Sequence, residues 1–228
     1  MSISDNVREV IVDINEAALR VGRDPQEITL VAVSKTRTPE EIEDAIEAGI
    51  VHFGENRLQE ASSKIPRVTG GIVWHLVGHL QSNKAKAAVE LFDWIDSVHS
   101  KEIADIISNK ALQKKKAVNV LIQVNISREE SKSGIPVGEV KELVSYVAGR
   151  EGITVRGLMT IGSFGVSEQV TRSEYSRMKE LFDSLKEYPE TGSQMDVLSM
   201  GMSDDFKIAI EEGATMLRVG TAIFGKRS

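Results

Sequence analysis

Residues 195–225 read MDVLSMGMSDDFKIAIEEGATMLRVGTAIFG, and the fold is decided by how this stretch is parsed. Two short apolar runs, MDVLSM (195–200) and TMLRVG (215–220), flank a helical segment. Ser203 is placed to cap that segment, Asp204 and Asp205 suit the positive end of its dipole, and Gly213 stops it. Both runs are too apolar to keep one face in water, so they belong to a parallel sheet covered on its outside.

The same alternation extends back through the chain. The other apolar runs are ITLVAVS (28–34), IVHFG (50–54), VWHLVG (73–78), LFDWIDSV (91–98), AVNVLIQVNI (117–126) and ITVRGLM (153–159), which makes eight candidate strands. Val7, Val10, Ile11, Ile14, Ala17, Ala18 and Val21 recur at helical spacing and predict an amphipathic helix over about 4–21. Thr38-Pro39-Glu40-Glu41 is a capping box with proline at the first helical position, and Gly49 ends that helix. Tyr175, Met178, Leu181, Phe182 and Leu185 mark one face of a long helix over about 171–187. Gly70-Gly71, Ser131-Lys132-Ser133-Gly134 and Gly162–Gly165 read as loops. No linker, repeat or shift in composition divides the chain, so residues 1–228 are expected to form one domain. Eight strands separated by helices favour a (β/α)8 barrel over an open sheet. The last strand runs almost to residue 228, so the N-terminal helix is expected to cover the place of the eighth outer helix.

Composition narrows the function. Hydrophobic residues make up 41% and charged residues 27%, ordinary for a globular protein, and aromatics only 5%, so the core is aliphatic. With 28 basic against 34 acidic residues the formal charge is −6, which argues against duplex nucleic acid as partner. The absence of cysteine excludes disulfides, thiolate metal sites and cysteine nucleophiles. The charged N-terminus lacks the apolar stretch of a signal peptide, and no run approaches the roughly 20 apolar residues of a membrane span. A cytoplasmic protein is expected.

Barrels build their sites at the C-terminal ends of the strands, commonly with a phosphate held by the last two loops. Here those ends supply Ser34-Lys35-Thr36, Gly54-Glu55-Asn56-Arg57, Ser199-Met200-Gly201-Met202-Ser203 and Arg218-Val219-Gly220-Thr221. The last two loops offer hydroxyls and free backbone N–H groups, which a dianionic phosphate requires. A lysine facing them suggests an imine with a phosphorylated aldehyde. A Schiff-base aldolase acting on a phosphosugar fits the same residues.

In these stretches the sequence resembles the pyridoxal phosphate homeostasis protein family, single-domain relatives of the alanine racemase barrel. The matching segments are VAVSKTRTPEEI (31–42), HFGENRLQE (52–60), WHLVGHLQSNK (74–84), QVNISREESKSG (123–134), RGLMTIG (156–162) and LSMGMSDDFKIAIEEGATMLRVGTAIFG (198–225). The resemblance implies pyridoxal 5'-phosphate as cofactor, bound as a Schiff base on Lys35. It places Arg218 opposite the ring nitrogen, Ser199, Gly201, Gly220 and Thr221 around the phosphate, Asn56 beside the ring and Met159 against a ring face. It implies a role in intracellular vitamin B6 homeostasis, with apo-enzymes as recipients of the cofactor.

An arginine cannot give up its proton, so it donates to an unprotonated ring nitrogen and leaves the ring a weak electron sink. The racemases that the chain resembles need a second domain and a tyrosine base, and residue 228 leaves no room for that domain. Tyr146, Tyr175 and Tyr188 all fall on or beside outer helices. A monomeric, non-catalytic carrier is expected, with an amino-acid racemase-like enzyme as the alternative. His75 and His79 have zinc-helix spacing but lie in a strand and turn, so no metal is expected. Lys114-Lys115-Lys116 suits a helix C-terminus, Lys84 and Lys86 a helix surface, and Lys132 an exposed loop at the barrel mouth.

Overall fold

The computed structural model describes residues 2–127, 129, 132–187 and 194–226. Tyr188 and Ser131, assigned above to a helix flank and a loop, lie outside the described residues. In chain order the elements are α1 (Ile3–Arg20), β1 (Thr29–Val33), α2 (Pro39–Glu47), β2 (His52–Glu55), α3 (Leu58–Lys64), β3 (Val73–Leu76), α4 (Ser82–Leu91) and β4 (Trp94–Val98). They continue as α5 (Lys101–Lys114), β5 (Val118–Asn125), β6 (Ile135–Pro136), α6 (Val140–Ala148), β7 (Ile153–Thr160), α7 (Glu168–Lys186), β8 (Val197–Ser199), α8 (Phe206–Glu211), β9 (Met216–Val219) and α9 (Thr221–Phe224).

Every strand pairing is parallel. The order β4-β3-β2-β1-β9-β8-β7-β5, closed by pairing of β4 with β5, makes a ring of eight strands, with β6 an appendage on the end of β5. This is the expected (β/α)8 barrel. Alternation along each strand divides the core in two. Val31, Trp94, Leu121, Met159, Val197 and Met216 pack together inside the ring. Ala32, Phe53, Leu76, Ile95, Val120, Leu158 and Leu217 face outward onto the buried sides of the helices.

Differences from the expected elements have local causes. Leu91 closes α4 rather than opening β4, because the amide of Phe92 still bonds back to Ala88. Ser203 does not cap α8, which begins at Phe206 after Asp205. A four-residue α9 follows β9, and α1 packs on both α8 and α9, with Asn6 Nδ2 donating to the Ile223 carbonyl at 2.8 Å. The N-terminal helix thus covers the expected gap together with α9. Among the described residues no helix is long and apolar enough to cross a membrane.

The barrel interior also carries a polar chain. Asp96 and His75 are fully buried, with His75 Nδ1 3.1 Å from the carboxylate, and His75 Nε2 lies 3.0 Å from His52 Nδ1. The His75 ring stacks on Trp94, centroids 5.1 Å apart. Burial, and then the neighbouring His75, lower the His52 pKa from 6.5 to about 4 against the opposing pull of Asp96. The unfolded chain therefore takes up a proton near 6.5 that the folded chain refuses until about 4. Stability should fall as pH drops through that window, and be regained as it rises. His52 is only part-buried, so its share is discounted to about 1 kcal/mol. Urea midpoints between pH 7 and 4.5 should decline less steeply for His52→Gln than for the unsubstituted chain. Parallel declines would remove His52 from the account.

Candidate functional site

All eight barrel strands end on one face, and a cavity of about 760 Å³ opens there. Its walls come from the ends of β1 (Val33, Lys35), β2 (Asn56), β3 (Val77), β7 (Ile161) and β9 (Arg218, Gly220, Thr221), and from the loop Met202–Asp205 after β8. Phe164 and Val166, on the loop before α7, form an exposed apolar lip.

Lys35 lies two residues beyond the end of β1, after Ser34, and is half-buried in the cavity wall. Among the described residues its amine has no hydrogen-bond or ion-pair partner. Asn56 stands one strand away, and its side-chain oxygen is buried without a partner. The loop after β3 crosses this point so closely that a Cβ on Gly78 would lie 2.0 Å from the Asn56 carbonyl oxygen, so only glycine fits.

Arg218 reaches the cavity from inside the barrel and is only 4% exposed. Its guanidinium donates from Nη1 to the Ser199 hydroxyl and from Nη2 to the Thr160 carbonyl at 2.7 Å. Burial pulls its pKa down, while Tyr175, Asp96 and Asp205 pull it up. It stays a cation, with N–H groups left over for a ligand.

Ser199 is fully buried and, like Gly201, does not reach the cavity wall. Its hydroxyl accepts from Arg218. Gly201 adopts φ +93°, accepts from the Arg218 amide at 3.0 Å, and lets α8 approach so closely that a Cβ would lie 2.5 Å from Ala209 Cβ. Met159 is likewise core, fully buried beneath the cavity floor rather than on its surface.

On the loop after β8, the hydroxyl that reaches the cavity is that of Ser203. Its oxygen accepts from the amides of Gly220 and Ala222, both at 3.2 Å, so donors from the β9 end converge on it. Asp205 fixes the loop behind it, accepting from the Met202 amide at 2.6 Å and from the Tyr175 hydroxyl at 2.8 Å. Burial first, and then Asp205, push the Tyr175 pKa upward, so the phenol stays protonated. A second cavity of about 700 Å³ lies behind this loop, between Asp204, Asp205 and Thr221 and the α1 residues Asn6, Glu9 and Asp13.

The site therefore gathers Lys35, Asn56, Arg218, Gly220 and Thr221 around one space, and sets Ser199 and Gly201 behind it. Sequence reasoning used Ser203 as a helix cap and gave the phosphate to Ser199, although a signal for Ser203 existed. Ser199 lies within the apolar run and so belongs to the barrel wall, whereas Ser203 lies beyond the Gly201 turn. Asp96 had no local signal. His75 and His79 do not share a site, since His75 points to Asp96 while the exposed His79 ring meets His99 at 4.6 Å. Lys132 is partnered, to Glu129 at 2.7 Å and the Gly162 carbonyl at 3.1 Å.

Known proteins resemble this chain in sequence and fold. The family model for the alanine racemase N-terminal domain matches residues 9–228. The pyridoxal phosphate homeostasis protein of Escherichia coli K12 is 45% identical over 231 residues, 99% of this chain and 97% of its own length. That of Pasteurella multocida is 40% identical, with 100% and 98% covered. The structure of PipY from Synechococcus elongatus with PLP bound superposes with a TM-score of 0.84 at 33% identity, over 98% of this chain and 100% of its own. Alanine racemase of Clostridium difficile in complex with cycloserine shares the fold, with a TM-score of 0.78 at 17% identity over 98% of this chain and 60% of its own. By sequence along its whole length and by the barrel that carries the site, the chain belongs to the pyridoxal phosphate homeostasis protein family.

Proposed function

We propose that the chain binds pyridoxal 5'-phosphate covalently through Lys35 and holds the cofactor for other proteins instead of using it in catalysis. The observation that carries this reading is a single cavity with an unpaired lysine amine in one wall and two convergent backbone amides in another. The names of the relatives and the PLP in PipY support the same ligand.

The residues present fit the cofactor. The Gly220 and Ala222 amides meet on the Ser203 oxygen, whose own proton is left to donate to a phosphate oxygen, and a turn of the Ser203 side chain would free both amides for the same group. Thr221 adds a hydroxyl on the same wall. Arg218 supplies a donor for the ring nitrogen, and the orphaned Asn56 oxygen an acceptor for a ring substituent. Ser199 and Gly201 act one layer back, by holding the guanidinium in place and by allowing the close turn. When bound, the cofactor supplies an aldehyde that condenses with an amine, releasing water.

What the protein's own groups do favours holding over turnover. Arg218 cannot give its proton away. The Tyr175 hydroxyl is engaged by Asp205 and stays protonated. Of the carboxylates on the wall, Glu168 is exposed and paired with Arg172, Asp204 is exposed, and Asp205 is bonded to the Met202 amide. Two of the three are thus engaged by other groups, and the third, Asp204, lies in solvent. The open mouth lets water and amines in, which favours release to an apo-enzyme over protected chemistry. The lack of cysteine fits a reducing compartment, and a cytoplasmic monomer is part of this reading.

Borohydride reduction of the purified protein should fix one pyridoxyl group, and peptide mapping should place it on Lys35. A label elsewhere, or none, would overturn the covalent assignment. A phosphosugar aldolase would carry no such chromophore.

Ser203→Ala should weaken pyridoxal 5'-phosphate binding by about tenfold or more, the value of a charge-assisted hydrogen bond, and leave unphosphorylated pyridoxal little affected. Ser199→Ala, acting through Arg218, should weaken both alike. Equal sensitivity of the two ligands to Ser203→Ala would remove Ser203 from the phosphate site.

Loaded protein mixed with an apo-transaminase should restore that enzyme's activity. Incubated with L-amino acids, it should racemise them far more slowly than about 1 per second, the lower end of ordinary enzyme turnover. Racemisation at or above that rate would reassign the chain as an enzyme.

A further inference from the structure

A cluster of buried charges lies on the outer side of the barrel, immediately behind the β1 end, and none of its members touches the cavity. Glu55 ends β2, while Glu60 and Lys64 sit one turn apart on α3. Glu55 is fully buried and Lys64 is 5% exposed. The Lys64 ammonium has three protons and three acceptors: Glu55 Oε1 at 2.7 Å, Glu60 Oε1 at 2.8 Å and the Ser34 carbonyl at 2.8 Å. The Ser34 hydroxyl adds a 2.6 Å bond to Glu55 Oε1, and Glu60 Oε1 accepts from the Thr36 amide.

These last contacts single out Lys35. The Ser34 carbonyl belongs to the peptide plane before Lys35, and the Thr36 amide to the plane after it. Both planes are gripped, one by an ammonium and one by a carboxylate. The orientation of those two planes is what φ and ψ of Lys35 describe, so gripping both fixes the direction in which its side chain leaves the backbone. Thr36 itself sits at φ +64°, a conformation that a β-branched residue adopts only when its surroundings impose it.

Stability alone does not account for the cluster. A buried ion pair gains little over apolar packing of the same volume, because desolvation offsets its attraction. Here two carboxylates share one ammonium, and the second Glu55 oxygen has no partner. Burial pushes the Glu55 pKa up, consistent with a carboxylate held at a cost.

We propose that Glu55, Glu60 and Lys64 are positioning residues that clamp the backbone on both sides of Lys35 and aim its amine into the cavity. The clamp rests on the reading of Lys35 as the cofactor-bearing residue, and its geometry can be measured without the cofactor.

Glu60 is the partly exposed member, so Glu60→Ala is the variant best placed to fold, and Glu60→Gln keeps an acceptor oxygen for the Thr36 amide. Amide hydrogen exchange in cofactor-free protein should be about tenfold or more faster at Thr36 in Glu60→Ala, and close to unsubstituted in Glu60→Gln. Pyridoxal 5'-phosphate affinity, followed by absorbance, should fall by a similar factor in Glu60→Ala and be restored in Glu60→Gln. Unchanged exchange and affinity in Glu60→Ala would overturn the clamp. So would lost affinity without faster exchange, which would make the effect one of charge and not of geometry. If borohydride mapping of the unsubstituted protein fails to label Lys35, the cofactor reading falls, and Thr36 exchange still decides whether the clamp exists.

Discussion

Arg218 carries a charge into the centre of a closed barrel where almost no water reaches it, and much of the interior follows from that. Burying an isolated ion costs several kcal/mol even after the surroundings relax. The two groups that touch the guanidinium are neutral, a serine hydroxyl and a main-chain carbonyl. Balance comes from farther off, from the carboxylates of Asp96 and Asp205. Asp96 in turn needs a donor, which His75 provides, and His75 needs a flat apolar neighbour, which Trp94 provides. An interior that could have been filled with aliphatic side chains is instead part polar, and each polar member answers to another.

The two sides of the cavity are built by different means. On the β1–β2 side the backbone is held from behind by side-chain charges that never enter the site. On the β8–β9 side the backbone itself does the holding, through amides that converge on Ser203 and a loop fixed by Asp205. Parallel strands make this division possible, because all their ends meet on one face and each can be supported separately. The two sides are joined by the pairing of β1 with β9, and both line the same cavity.

What could be read from the sequence followed how local the signal was. Strands and helices rested on periodicity within ten or twenty residues, and the capping box at Thr38 stands as expected, with its side chain accepting from Glu41. The two-residue β6 was invisible because Ile135-Pro136 carries no pattern of its own. Lys35 and Arg218 were legible as chemical types at strand ends. Ser203 and Ser199 were separable only by where the apolar run ends and the Gly201 turn begins, a fainter cue than residue type. The clamp could not be seen at all: Lys64 lies 30 residues from Ser34 in the chain, and only folding brings them within a hydrogen bond. His75 and Asp96 are separated by 21 residues in the same way.

The loop from Met202 to Asp205 has open space on both faces, the main cavity in front and the smaller one against α1 behind. That wall is held by hydrogen bonds alone, through Asp205 and Ser203, and yields more readily than the β1 edge, which is backed by buried charges in contact. The cavity therefore has one stiff jaw and one compliant jaw. Ligands that share an aldehyde but differ at the far end would meet the same rigid reference point, and the fit would be made by the yielding side.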